Sequence, residues 1–325
     1  MGFGNYSRDA HEALLKGRSS QSREQVFKQR KTHALMDPKG VRARESRDSD
    51  GHSSSLPIVF ALDVTGSMGE IPGRLAQQEL PHFMQVLGSC GLVDPQVLFM
   101  AVGDATSDAA PLQVGQFETT AELMDQWLTW SYLEGNGGGQ KHESYELALY
   151  FLAEHTVMDQ VLKRKKRGYI LMTGDELPYP AVSKNQVEAI IGDRLDHDVP
   201  VAEVVAAVQE TFETFFLIPA LDRRDGCEKA WRDLLGDHVL CMTEPADTCY
   251  VSAGAIALSE GAVKDLDDLA HRLEKEKIPG ARIRSAVQVL TPYAMWLHRD
   301  GGAAPRIEHV TPDQKAPSFW KRLFK

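Results

Sequence analysis

Five short apolar runs, PIVFALD, VLFMAVGD, GYILMTGDE, TFFLIPAL and HVLCMTE, punctuate the chain between Leu56 and Glu244. Each is nearly continuous in its apolar character, which marks a strand covered on both faces rather than one with a wet side. The segments between them carry helical spacing: GRLAQQELPHFMQVLG, ETTAELMDQWL, ESYELALYFLAEHT, SKNQVEAIIGDRL, VAEVVAAVQET, CEKAWRDLLG and VSAGAIALSE. Strands alternating with helices of this length predict crossover units. The fold class expected is α/β, a doubly wound, mostly parallel sheet flanked by helices, with N- and C-terminal extensions.

The flanks read differently. Residues 1–55 form a polar, basic N-terminal arm with one weakly amphipathic piece, REQVFKQRKTHAL, and no sustained strand pattern; it is either disordered or laid along the body. Residues 56–260 hold the alternating pattern. Residues 261–325 begin with a charged helix, AVKDLDDLAHRLEKEK, lose legibility after Pro279, and end in a polar linker with an aromatic and basic tip. In that tip Phe319, Trp320 and Phe324 either dock on a partner or fold back onto the body.

Charge sharpens this division. The 325 residues carry a formal net charge of -10, but residues 1–50 hold 11 Lys and Arg against 7 Asp and Glu, which leaves -14 on the remainder. No apolar run approaches the roughly 20 residues that a bilayer demands. The opening MGFGNYS lacks an apolar signal core and has Tyr6 where a myristoylation signal needs Ser or Thr, so a cytoplasmic location is expected. Cys90, Cys227, Cys241 and Cys249 form no CxxC pair, which points to neither a zinc site nor a disulfide framework. His142, His155, His197 and His238 have no metal-cluster spacing and are read as structural.

The chemistry concentrates where strands end. In an open α/β sheet, ligands bind beyond the carboxyl ends of the strands, where the strand order reverses. Asp63 ends the first run, and Asp104, Asp175 and Asp222 follow or closely trail three others. Asp63, Thr65 and Ser67 alternate in DVTGSMG, so a turn curling off the strand can aim three oxygens at one point, as a hard divalent cation requires. The competing reading is an ordinary strand-to-helix turn with a cap. Asp104 and Asp108 in VGDATSDAAP are expected to order a loop near this place, and Trp127 and Trp130 to pack in the core. The basic run VLKRKKRG is read as a solvated helix end.

Asp63-x-Thr65-Gly66-Ser67 after an apolar strand resembles the DxSxS signature of the von Willebrand factor A (vWA) domain, often DxTGSM in its bacterial cytoplasmic members. The resemblance covers about residues 56–260 and implies a Rossmann-like vWA fold with a metal-ion-dependent adhesion site (MIDAS). It implies Mg2+, with Mn2+ or Ca2+ as substitutes, touched directly by Thr65 and Ser67, while Asp63 and Asp175 hold coordinating waters. Two positions depart from the family pattern. The acid after the fourth strand sits in TGDE rather than TDG, and the usual Thr of the second loop falls on Glu143, with Ser144 beside it. Glu143 is favoured as the ligand, directly or through water; a Ser144 substitute and a degenerate site are the alternatives.

What the resemblance implies is a noncatalytic adaptor that grips an acidic side chain of a partner protein through the metal. Family members in bacterial cytoplasm work beside AAA+ ATPases of the MoxR type, or in stress, tellurium-resistance and phage-defence assemblies. Two other classes remain open. RNA binding, as in Ro-type ribonucleoproteins that resemble this domain, is opposed by the acidic body and kept open by the basic arm. A serine hydrolase using Ser67 would need a GxSxG elbow, and Thr65 replaces its first glycine.

Overall fold

The computed structural model describes residues 4–18, 20–66, 68, 70–134 and 141–299. Six strands form the central sheet: β1 (Leu56–Asp63), β2 (Pro95–Val102), β3 (Leu112–Val114), β4 (Gly168–Thr173), β5 (Phe212–Ile218) and β6 (Val239–Cys241). Their spatial order is β6-β5-β4-β1-β2-β3. All neighbours run parallel except β3, which pairs antiparallel with β2 through Met100 and Val114. The five apolar runs supply five of these strands. The edge strand β3 lies in PLQVGQ, and its three residues are too few to show a period.

The period-2 geometry of β1 explains why it reads as apolar throughout. Leu56, Ile58, Phe60 and Leu62 enter one core, while Val59 and Ala61 enter the other. On the first face Phe60 packs edge-on to Phe83, with centroids 4.9 Å apart, and stacks on Phe99 at 5.7 Å. Phe83 belongs to α2 (Leu80–Ser89), which continues a π-helical turn over Leu75–Glu79. Pro81 has no N–H to return to the preceding turn, and the wider π turn absorbs that missing bond. On the second face Tyr145, Phe216 and Trp231 interlock, with Phe216 stacked on Trp231 at 3.8 Å.

The segment after residue 260 adds to the first core. Thr248–Ser259 forms a helix buried along its whole length, and the helices Leu266–Lys275 and Gly280–Arg299 close over it with Leu269, Leu273, Ala286, Leu290 and Tyr293. The stretch beyond Pro279 that was hard to read is one 20-residue helix with Pro292 inside it. The aromatic tip, with Phe319, Trp320 and Phe324, lies outside the described residues. Among the described residues no helix is long and apolar enough to cross a membrane.

Of the two expectations for the N-terminal arm, the structure takes the second: it is laid along the body. Its helix α1 (Arg8–Lys16) packs against α2 and α3 (Ala121–Thr129), and Arg18 forks onto both carboxylate oxygens of Asp125. Arg44–Ser46 pairs in parallel with Thr156–Met158, and Ser46 Oγ donates to buried Gln96 at 2.8 Å. His33 of the arm stacks on Trp130 at 3.9 Å, and Trp130 meets Trp127 edge-on at 5.3 Å. This Trp pair thus packs the arm down, alongside Arg44 above the Trp127 ring.

The basic run stands at the end of the helix Asp159–Arg164, with Lys163 and Lys166 exposed, and its charges are paired within the chain. Lys163 and Arg164 pair with Asp48 of the arm, Lys163 also with Asp159, Lys166 with Glu260, and Arg167 with Glu213. Glu213 sits inside β5 and is 3% exposed, so an acid in a central strand survives because Arg167 and His238 hold it. Burial pushes its carboxyl up, and the interactions with His238 and Arg167 more than offset that, leaving its pKa lowered.

A further pair fixes the arm's return. His155 Nε2 meets Asp193 Oδ2 at 2.7 Å, while the His155 backbone carbonyl accepts from Arg44 N at 2.7 Å. Burial alone would lower the His155 pKa; Asp193 more than offsets it, and the pKa is raised above its ordinary 6.5. The His155 bond lowers the Asp193 pKa below its ordinary 3.8. The histidine contribution is complete below 6.5 and fades as pH climbs through the raised folded value; the aspartate contribution is complete above 3.8 and fades as pH drops through the lowered one. Asp193→Asn is therefore expected to cost about 1 to 2 kcal/mol at pH 5.5 and less at pH 9, measured by urea denaturation at the two pH values.

Candidate functional site

The reversal of strand order falls between β1 and β4, so the crevice of this sheet opens at Asp63 and at the Gly174–Asp175 corner. Asp63 is fully buried. Its Oδ1 accepts from Thr65 N at 2.9 Å and from Thr65 Oγ1 at 2.5 Å, an Asx turn that curls the chain off the strand. Its Oδ2 accepts from the Tyr145 hydroxyl at 2.6 Å. Burial pushes the Asp63 carboxyl up to about 6, against the pull of the Thr65 and Tyr145 hydrogen bonds and with the Asp175 charge adding to the rise.

Tyr145 opens α4 (Tyr145–Glu154) and was not among the residues singled out in the sequence. It crosses the crevice to reach β1, and Gly174 makes room for it. A Cβ placed on Gly174 would stand 2.2 Å from the Tyr145 hydroxyl oxygen. The glycine of TGDE is thus a matter of close approach rather than of turn conformation.

Three loops meet around this tyrosine. His142–Glu143 forms a two-residue parallel ladder with Leu177–Pro178, tying the loop before α4 to the loop after β4. Tyr179 donates from its backbone N to Glu146 Oε2 at 3.2 Å and from its hydroxyl to Asp104 Oδ1 at 3.0 Å, which adds the loop after β2. As expected, Asp104 and Asp108 order that loop: Asp104 accepts from Thr106 N and Oγ1, and Asp108 Oδ2 accepts from Asp104 N at 2.8 Å.

Glu143 is buried, and its Oε2 has no hydrogen-bond partner among the described residues. Burial and the negative charges of Asp63, Asp108, Asp104 and Glu176 push its carboxyl up to about 9. Ser144 is buried too, but its Oγ accepts from Ala105 N at 2.9 Å, so that hydroxyl is already engaged with the Asp104 loop. Glu146, one turn further on, is likewise buried, with an unpartnered Oε1 and a carboxyl that burial pushes up to about 8.

Asp175, in the loop after β4, is paired with a residue from another loop. Its Oδ2 accepts from Arg223 Nη1 at 2.5 Å, and Arg223 comes from the turn Leu221–Arg223 after β5. The same guanidinium lies 3.9 Å from Met68 Sδ in the turn after β1. Arg223 was missed in the sequence, although it follows Asp222, one of the strand-end acids. Ser67 lies outside the described residues.

The structure therefore joins Asp63 to Thr65 directly and gathers Glu143 and Asp175 around the same crevice, where each bears on the charge of its neighbours. Among the described residues no three His, Cys, Asp or Glu side chains converge as a ready-made metal cluster. The donors present are oxygens of carboxylates and hydroxyls, the set that suits a hard divalent cation. One of them, Glu143 Oε2, is orphaned and surrounded by negative charge.

No protein-family model matches the chain, and a search of curated proteins finds no match. Solved structures resemble it distantly. The open form of the pilus adhesin SpaC from Lactobacillus rhamnosus GG shares 12% identity over 70% of this chain, with a TM-score of 0.43. Proximal thread matrix protein 1 from the mussel byssus shares 10% over 69%, with a TM-score of 0.40. A von Willebrand factor type A protein from Catenulispora acidiphila shares 14% over 63%, with a TM-score of 0.35. The matches span 31%, 51% and 42% of those chains, respectively. The strand order, the antiparallel edge strand and the two helical layers make this a doubly wound, mostly parallel α/β fold.

Gly174→Ala drives a methyl group into Tyr145 and is expected to cost about 1 to 3 kcal/mol, as overpacking does. Tyr145→Phe removes a donor from a buried carboxylate and is expected to cost a similar amount. Urea denaturation at pH 7 checks both, and a cost below 0.5 kcal/mol for each would show that the crevice is loosely packed.

Proposed function

We propose that the crevice holds a divalent cation, Mg2+ in the first instance, and that the protein is a noncatalytic interaction module using that ion to bind an acidic group of a partner. The observation that carries this reading is the buried, unpartnered Oε2 of Glu143 in a crowd of carboxylates at the strand-order reversal. Buried negative charge on this scale is either protonated or matched by cations. Arg223 supplies one positive charge, on Asp175.

Thr65 and Glu143 would touch the ion, while Asp63 and Asp175 would orient its waters; Ser67 belongs to the set by sequence alone. The ion would supply a positive charge that an outside carboxylate can complete. Asp63 fixes the Thr65 hydroxyl, and Tyr145 fixes Asp63, so the protein's part is to hold these oxygens in place. The resemblance of Asp63-x-Thr65-Gly66-Ser67 to the vWA signature supports a protein-interaction role at the coarse level. The resemblance in sequence makes a MoxR-type AAA+ ATPase, in a stress or defence assembly, the first partner to try.

Titration calorimetry with MgCl2 and MnCl2 on the full chain tests the site. Glu143→Gln and Asp63→Ala are expected to weaken binding by about 10- to 100-fold, with Glu143→Gln retaining the wild-type circular dichroism spectrum. A partner recovered from lysate in Mg2+ should be lost in EDTA and with Asp63→Ala. Unchanged ion affinity in both variants would remove the ion from this crevice.

A further inference from the structure

Resting on that metal reading, we propose that Arg223 is a tethered cation that competes with the divalent ion for Asp175 and thereby sets how tightly the ion is held. The side chain starts beyond β5, two strands from β1, yet its Nη1 meets Asp175 Oδ2 at 2.5 Å and approaches Met68 Sδ at 3.9 Å. It thus spans the end of β4 and projects over the crevice at which Asp63 and Glu143 gather. Asp175 is 9% exposed and Arg223 34% exposed at their side chains, so the carboxylate is withdrawn from water while the guanidinium keeps an exit to solvent.

A guanidinium and a divalent ion cannot both sit close to one small carboxylate without repelling each other in a partly buried place. Asp175 is the acid that the ion needs in the outer shell, and Arg223 already holds it in a charge-assisted bond. Ion entry therefore requires Arg223 to loosen its hold on Asp175. Conversely, Arg223 keeps the acid crowd tolerable when the ion is absent. Reciprocity follows: what Arg223 contributes to the ion-free protein is subtracted from ion binding.

The test uses the full chain with Arg223→Gln and Arg223→Met, which remove the charge, and Arg223→Lys, which keeps it. Calorimetry with MgCl2 and MnCl2 is expected to show tighter binding by about tenfold or more for the two neutral variants, within the usual range of site coupling, and little change for Arg223→Lys. Melting temperatures give a second readout. In EDTA the neutral variants should melt below the wild type, and in saturating Mg2+ that gap should close or reverse. A wild type without measurable affinity and a neutral variant that binds also support the proposal. Equal or weaker affinity in both neutral variants overturns the competition while leaving the ion site intact. If no protein of the set binds either ion at millimolar concentration, the metal reading falls and this inference with it.

Discussion

The carboxylate of Asp63 is the constraint on which the rest of the crevice is built. A strand buried on both faces ends in an acid withdrawn from bulk solvent, and such a group is costly unless its oxygens find donors. Thr65 serves one oxygen from its backbone and its hydroxyl, and Tyr145 serves the other. To reach Asp63, the tyrosine must come from the start of α4 across the crevice, and it can do so only because residue 174 has no side chain. One hydrogen bond thus links the turn after β1, the loop before α4 and the corner after β4. Those are the places from which a strand-end site must draw its groups.

The periphery shows the same economy with charge. Lys163, Arg164, Lys166 and Arg167 gather at a helix end, and each is paired within the chain, two with Asp48 of the arm and two with acids at the far ends of β5 and the buried helix. Arg18 and Arg47 of the arm pair with Asp125 and Asp159 of the body. The positive arm and the negative body therefore complement each other within one chain, which diminishes the arm as a surface for phosphate backbones. The charge excess that remains is acidic.

The layers of the fold were legible in the sequence because strands covered on both faces give long apolar runs, and five of six did. β3 escaped because three residues at an edge carry no period, and the final helix escaped because Pro292 interrupts its pattern. Asp63 and Thr65 were visible because an Asx turn is a local device, written in adjacent residues. Glu143 could be reached only by counting back from an apolar helix, and Asp175 by its position after a strand. Tyr145 and Arg223 were invisible for a different reason: each acts on a residue dozens of positions away, and nothing in the flanking sequence distinguishes a tyrosine that crosses a crevice from one that packs.

The choice between protonation and a cation as the answer to the buried acids turns on Glu143. A proton removes the charge but does not remove the need for partners, since a protonated carboxyl still has one donor and an acceptor oxygen to satisfy. With Oε2 enclosed and unpartnered among the described residues, a proton on that atom points at none of their acceptors, and a proton on Oε1 leaves Oε2 as a carbonyl without a donor from them. Under the proposed reading, a hydrated cation would answer both needs, by supplying positive charge to the group of acids and by bringing a ligand or a water donor to the enclosed oxygen. Arg223 alone cannot play this part, because its guanidinium is committed to Asp175. Under the proposed reading, the shortage of partners around these acids makes the crevice selective for a small, doubly charged, oxygen-seeking ion.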